Sequence, residues 1–82
     1  MELTIKTSIP RVMMARQAAD IATRMSGYQS RVLLRKGNIT VNAKSLMGVL
    51  SAELCDGQAV TILAEGPDEA QAVCELSRML GA

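Results

Sequence analysis

Val32-Leu33-Leu34-Arg35-Lys36-Gly37-Asn38-Ile39-Thr40-Val41 is the stretch on which the fold turns. Val32 to Leu34 begin a strand, Gly37-Asn38 is a two-residue turn signal, and Ile39 to Val41 form the returning strand. On the N-terminal side, Ala15, Ala18, Ala19, Ile21, Ala22 and Met25 fall at helical spacing over residues 15–26, and Gly27 stops that helix. Before it, Leu3, Ile5 and Thr7 alternate with Glu2, Thr4, Lys6 and Ser8, the period of a half-buried strand, which Pro10 breaks. On the C-terminal side, Ser45 opens a short helix carrying Leu46, Met47, Val49 and Leu50. Asp56-Gly57 is a turn, and Ala59 to Ala64 form a strand with Val60 and Ile62 on one face. Gly66-Pro67-Asp68-Glu69 then opens a last helix with acids in its first turn, where the helix dipole favours them. Its expected buried stripe is Ala70, Val73, Cys74, Leu76 and Leu80, with Arg78 near its end. The order β-α-β-β-α-β-α predicts an α+β fold, one sheet with its helices segregated to one face.

Composition fits that frame. The 82 residues are 49% hydrophobic and 21% charged, which predicts one globular domain and argues against disorder. No apolar run reaches the roughly 18 residues of a membrane span, and no basic region precedes an apolar one as in a signal peptide. The chain therefore reads as cytoplasmic. Net charge is +1, so no global field draws it to nucleic acid or a membrane. Residues 1–44 carry eight basic and two acidic side chains (net +6), and residues 45–82 carry one and six (net −5). Either this makes a basic face or a small fold interleaves the two halves.

Much chemistry is excluded by residue type. There is no histidine, hence no imidazole base, zinc ligand or phosphohistidine acceptor. Cys55 and Cys74 lie among apolar residues and read as reduced core thiols; no C-x-x-C spacing supports a redox pair. Two cysteines without histidine cannot form a four-ligand zinc site, and no carboxylates stand at calcium-loop spacing. No glycine-rich phosphate loop occurs. A β-α-β-β-α-β order also suits an RNA-binding sheet that stacks bases on aromatic side chains, but the hairpin has none; Tyr28 is the one aromatic residue of the chain. An activated serine or cysteine needs a base beside it; no histidine can serve, and Lys6, Lys36 and Lys44 are unremarkable by spacing. The expectation is a protein that is not an enzyme, with no cofactor and no metal.

What remains is Asn42-Ala43-Lys44-Ser45-Leu46-Met47-Gly48-Val49-Leu50-Ser51. It places a hydroxyl at a helix start, a lysine beside it and an apolar ridge after it, with Leu46, Met47 and Leu50 spaced i, i+1, i+4. Ser45 is then either an N-cap above core residues or a phosphorylation switch. A phosphate there would add roughly −1.5 to −2 charges beside Lys44.

The segment Asn42 to Leu50 resembles the regulatory-serine motif of HPr, the phosphocarrier protein of the bacterial sugar phosphotransferase system. The resemblance extends through the Asp56-Gly57 turn, the Thr61-Ile62 strand and the Gly66-Pro67-Asp68-Glu69 helix start. It implies an open-faced sandwich of four antiparallel strands covered on one side by three helices. The family's other motif, Gly-x-His-Ala-Arg-Pro, is degenerate: Val12-Met13-Met14-Ala15-Arg16-Gln17 keeps Ala15 and Arg16, and Met14 stands at the histidine position. A thioether forms no comparable phosphoryl adduct, so the resemblance implies no catalytic or phosphocarrier residue at Met14.

In low-GC Gram-positive members of that family the serine corresponding to Ser45 is a substrate of HPr kinase/phosphorylase, and the phosphoprotein acts as corepressor with a catabolite-control transcription factor. A variant called Crh also lacks the histidine and keeps the serine, and this chain resembles it in that respect. The resemblance implies phosphorylation at Ser45 and partner binding through Arg16, Lys44, Leu46, Met47 and Leu50. The partners are proteins, with no direct nucleic-acid, membrane or metal contact. Arg16 is alternatively an ordinary solvated helix residue. Met13 and Met14 either cover the helix end or extend the docking surface. Three functions follow: a Ser45-switched regulatory module, a passive HPr-fold interaction protein, or a conventional phosphocarrier.

Overall fold

The elements run β1 (Glu2–Lys6), α1 (Ala15–Ser26), β2 (Arg31–Lys36), β3 (Ile39–Asn42), α2 (Leu46–Ser51), β4 (Ala59–Glu65) and α3 (Glu69–Met79), the order that the sequence predicts. The structure, a computed structural model, describes residues 1–9 and 13–81; Pro10, the expected ladder breaker, and Val12 lie outside them. The strands form one antiparallel sheet in the order β1-β4-β2-β3. The hairpin predicted at Gly37-Asn38 joins β2 to β3, with Gly37 at φ +58, where a side chain would be strained.

Burial follows the alternation. Val32 and Leu34 of β2 and Val60, Ile62 and Ala64 of β4 are buried against Ala18, Ile21 and Met25 of α1 and Ala72, Val73 and Leu76 of α3. With almost no aromatic volume, the core is filled by aliphatic side chains and by Met13 and Met25, which adapt to irregular gaps. Among the described residues no helix is long and apolar enough to cross a membrane, and no cluster of three or more His, Cys, Asp or Glu could hold a metal ion.

Several expectations are corrected. β1 ends at Lys6 and does not reach Ser8. Thr7 is buried beyond it, donating to the Cys55 carbonyl at 2.6 Å and accepting from the Gln58 amide at 2.9 Å. Leu3 is exposed because β1 is an edge strand. Ala15 and Ala70 face solvent. Neither cysteine is a core thiol, although both are free: Cys55 is half-buried and Cys74 exposed. The buried line of α3 runs through Ala72, Leu76 and Leu80 with Val73 beside it, and Cys74 lies one further 100° step round the helix. Gly27 does end α1, but in a right-handed conformation (φ −75).

Candidate docking and modification site

The loop from β3 to α2 positions Ser45. Asn42 folds the chain, its side-chain oxygen accepting from the Lys44 amide at 2.9 Å and its carbonyl accepting from the Ser45 amide at 3.0 Å. Ser45 then caps α2 with an extended backbone (φ −105, ψ 120), and its Oγ accepts from the Gly48 amide at 3.1 Å. Gly48 eases this approach: a Cβ there would lie a tight 3.1 Å from the Asn42 carbonyl oxygen and 3.3 Å from Ser45 Cβ. The hydroxyl is half-buried and used only as a cap among the described residues, so its own proton is uncommitted.

Behind Ser45 the helix divides by face. Val49 is 1% exposed and belongs to the core. Leu46 (40% exposed) and Met47 (73%) project outward. Leu50 lies half-buried between these environments, packed on the core edge. The ridge expected from spacing is thus graded, Met47 at its crest and Leu50 at its root.

α1, whose N-terminal end carries Met14 and Arg16, packs against α2. The two methionines before α1 part company. Met13 is buried in the core and its amide donates to the Leu54 carbonyl at 2.8 Å. Met14 is the N-cap of α1 and is 67% exposed. A thioether is a poor cap, so half of the usual reciprocal cap is made by Gln17, whose Oε1 accepts from the Met14 amide at 2.9 Å. Arg16 is exposed and makes no ion pair among the described residues. Lys44 is different: its ammonium donates to the Tyr28 carbonyl at 2.7 Å, tying the loop before α2 to the chain just after α1. Its first role is structural.

A groove on α3 went unnoticed in the sequence. Tyr28, Cys74, Glu75 and Arg78 line an open depression of about 450 Å³. The Tyr28 hydroxyl donates to Glu75 at 3.1 Å; its burial, and next that carboxylate, raise the phenol above its ordinary value. No spacing signal marks this groove, because its residues come from one helix and a distant loop.

Ser45 and its helix thus present a half-buried hydroxyl beside an exposed apolar crest. A family model described as the PTS HPr component phosphorylation site matches residues 1–82. This chain belongs to the HPr family. It is 38% identical over 65 residues to the phosphocarrier protein HPr of Treponema pallidum, covering 79% of this chain and 74% of that one. It is 37% identical over 76 residues to the HPr-like protein Crh of Bacillus subtilis, covering 93% and 85%. The crystal structure of a phosphocarrier protein HPr from Bacillus anthracis superposes with a TM-score of 0.92 at 29% identity, covering 98% of this chain and 95% of that one. The HPr-like open-faced sandwich expected from the resemblance is therefore the fold of this chain.

Proposed function

We propose that this chain is a histidine-less HPr-like regulatory module, one domain over residues 1–82, whose docking face is switched by phosphorylation at Ser45. It works by binding proteins and is not itself an enzyme. The observation that carries this reading is the pairing of the Ser45 hydroxyl with the exposed crest of Met47 and Leu46, on a chain without any histidine. A kinase would transfer the γ-phosphoryl of ATP: the new bond forms at Ser45 Oγ, the bond to ADP breaks, and the hydroxyl proton leaves to a base on the kinase. The phosphate would place about −1.5 to −2 charges at the foot of the apolar crest. Arg16, exposed on the adjacent helix, supplies a guanidinium for that phosphate or for a partner's carboxylate. Lys44, Leu46, Met47 and Leu50 complete the proposed docking face. By family resemblance the partners are an HPr kinase/phosphorylase and a catabolite-control transcription factor in the cytoplasm of a bacterium.

Intact-mass spectrometry after incubation with ATP and an HPr kinase/phosphorylase tests this, with Ser45→Ala as control. One added phosphate, absent from the variant, is expected. No addition to the wild-type chain would overturn the switch. The engagement of Lys44 with Tyr28 favours a second reading, a passive HPr-fold binding module, because it draws the nearest ammonium away from a phosphate. Equal capture of partners by wild type and Ser45→Asp would support that second reading.

A further inference from the structure

The face of the sheet turned away from the helices has its own pattern. In register, Leu33 of β2 lies beside Leu63 of β4, and one step along the same face Arg31 lies beside Glu65. The neighbours Val32, Leu34, Ile62 and Ala64 are buried against the helices, so these four side chains project to the uncovered side. The leucines are half-buried, and Arg31 and Glu65 are exposed. Together the four line a small depression of about 50 Å³. Arg31 and Glu65 form no ion pair with each other or with any described residue. An apolar pair thus sits next to two opposite, uncommitted charges.

We propose that this face is a self-association surface whose occupant is a second copy of the chain, packed sheet to sheet about a two-fold axis parallel to the strands between β2 and β4. Such an axis lays β2 of one copy over β4 of the other at the same level. Leu33 meets Leu63 of the second copy, Arg31 meets Glu65, and each contact is made twice, as an isologous interface requires. Further out, Glu2 falls opposite Asn42 and Arg35 opposite Thr61, so no like charges meet. The alternative axis, across the strands, reverses the levels. Passing through the leucines, it would stack each on its own counterpart but press Arg31 onto Arg35, two like charges, and Glu65 onto Thr61; moved one level along, it would set Leu33 against Arg35 and Leu63 against Thr61. Sheet twist turns two such layers by about 30°, so the complementarity resides in the central four side chains.

The size of the face fixes the strength. Strands rising ~3.3 Å per residue and spaced ~4.8 Å apart make a four-stranded face of about 20 by 17 Å. That is well below the ~800 Å² per partner of a standard stable interface. A face of that size suits a weak, reversible association. The helical layers, carrying Ser45 and Met47, point outward from such a pair.

Sedimentation equilibrium of the full chain between about 0.05 and 2 mM tests this, with Arg31→Glu, Glu65→Arg and their equimolar mixture. The weight-average mass of the wild type should rise with concentration. Each variant alone brings like charges together at both contacts and should associate roughly tenfold more weakly. The mixture should associate well above either variant alone, at about half the wild-type extent because only mixed pairs are favourable: the carboxylate introduced at position 31 of one variant then meets the guanidinium introduced at position 65 of the other. Thermal melting of each variant checks that the fold is intact. A wild type that stays monomeric throughout overturns the proposal. So does a mass increase that is the same in the wild type and in both single variants, which would place association elsewhere, as in an exchange of strands.

Discussion

Ser30 and Asp68 clasp each other across the start of the last helix. The Ser30 amide and hydroxyl both donate to Asp68 Oδ1, the Gln29 amide donates to Oδ2 at 2.9 Å, and the Asp68 amide donates back to Ser30 Oγ at 3.2 Å. Ser30 is fully buried, and Gly66 (φ +147) lets the chain pass so closely that a Cβ there would lie 2.6 Å from Ser30 Cα. Ser30→Ala strands the Asp68 amide and removes a buried partner, a cost of about 1–3 kcal/mol. A drop of roughly 5–15 °C in melting temperature is expected for a chain of this size, read by circular dichroism.

The same clasp sets an acid dependence. Hydrogen bonds from the Ser30 hydroxyl and then from the Gln29 amide hold the Asp68 carboxyl below its ordinary value. Protonation is therefore harder in the folded chain than in the unfolded one. The stabilisation is complete above the ordinary carboxylate range and is lost as pH falls through the folded-state value. Stability measured by urea titration from pH 6 downward should fall more steeply below about pH 4 in the wild type than in Ser30→Ala. Parallel curves for the two proteins would show that the clasp does not tune Asp68.

Ser45 has two roles that substitution can separate. Its Oγ caps α2 through the Gly48 amide, so Ser45→Ala should cost about 1 kcal/mol in denaturant unfolding. Aspartate is as good a cap as serine, so Ser45→Asp should keep wild-type stability to within about 0.5 kcal/mol. A partner lost by Ser45→Ala but strengthened by Ser45→Asp would then be reporting charge and not helix capping.

Met47 and Val49 are two residues apart and should fail in opposite ways. Met47 is 73% exposed and Val49 1%. Met47→Ala should leave stability within about 0.5 kcal/mol and weaken partner capture. Val49→Ala, which opens a core cavity, should cost about 1–2 kcal/mol while leaving the exposed crest in place. Paired unfolding and pull-down measurements on the two variants locate the docking face.

The order of elements was legible because each carries a local signal: alternation in β1 and β4, a Gly-Asn turn in the hairpin, a serine before α2. Helix-face assignments were less legible at their margins. Cys74 and Ala70 satisfy an apolar pattern, but the direction in which α3 meets the sheet centres the buried line on Ala72 and Leu76. The clasp of Ser30 with Asp68 and the tie from Lys44 to Tyr28 join positions far apart in sequence, and no periodicity encodes such pairs. Lys44 shows the consequence. Adjacency to Ser45 suggests a phosphate ligand, whereas the fold first commits its ammonium to a backbone carbonyl.

Met14 permits the sharpest test of the proposal that this chain accepts no phosphate from phosphoenolpyruvate. The first turn of α1 leaves the Arg16 and Gln17 amides without intrahelical acceptors, since the first such bond runs from the Ala18 amide to the Met14 carbonyl at 3.1 Å. Amides of that kind suit an incoming anion. The missing part is a nucleophile, because a thioether holds no phosphoryl group. Met14→His places an imidazole at an exposed cap whose own amide stays bonded to Gln17, so stability should change by less than about 0.5 kcal/mol. With phosphoenolpyruvate and the upstream phosphotransferase enzyme, the wild type should gain no mass and Met14→His should gain one acid-labile phosphate. Labelling of the wild type would mean that another residue accepts phosphate. Failure of Met14→His to be labelled would shift the loss onto Val12 or Gln17, the other departures from the motif.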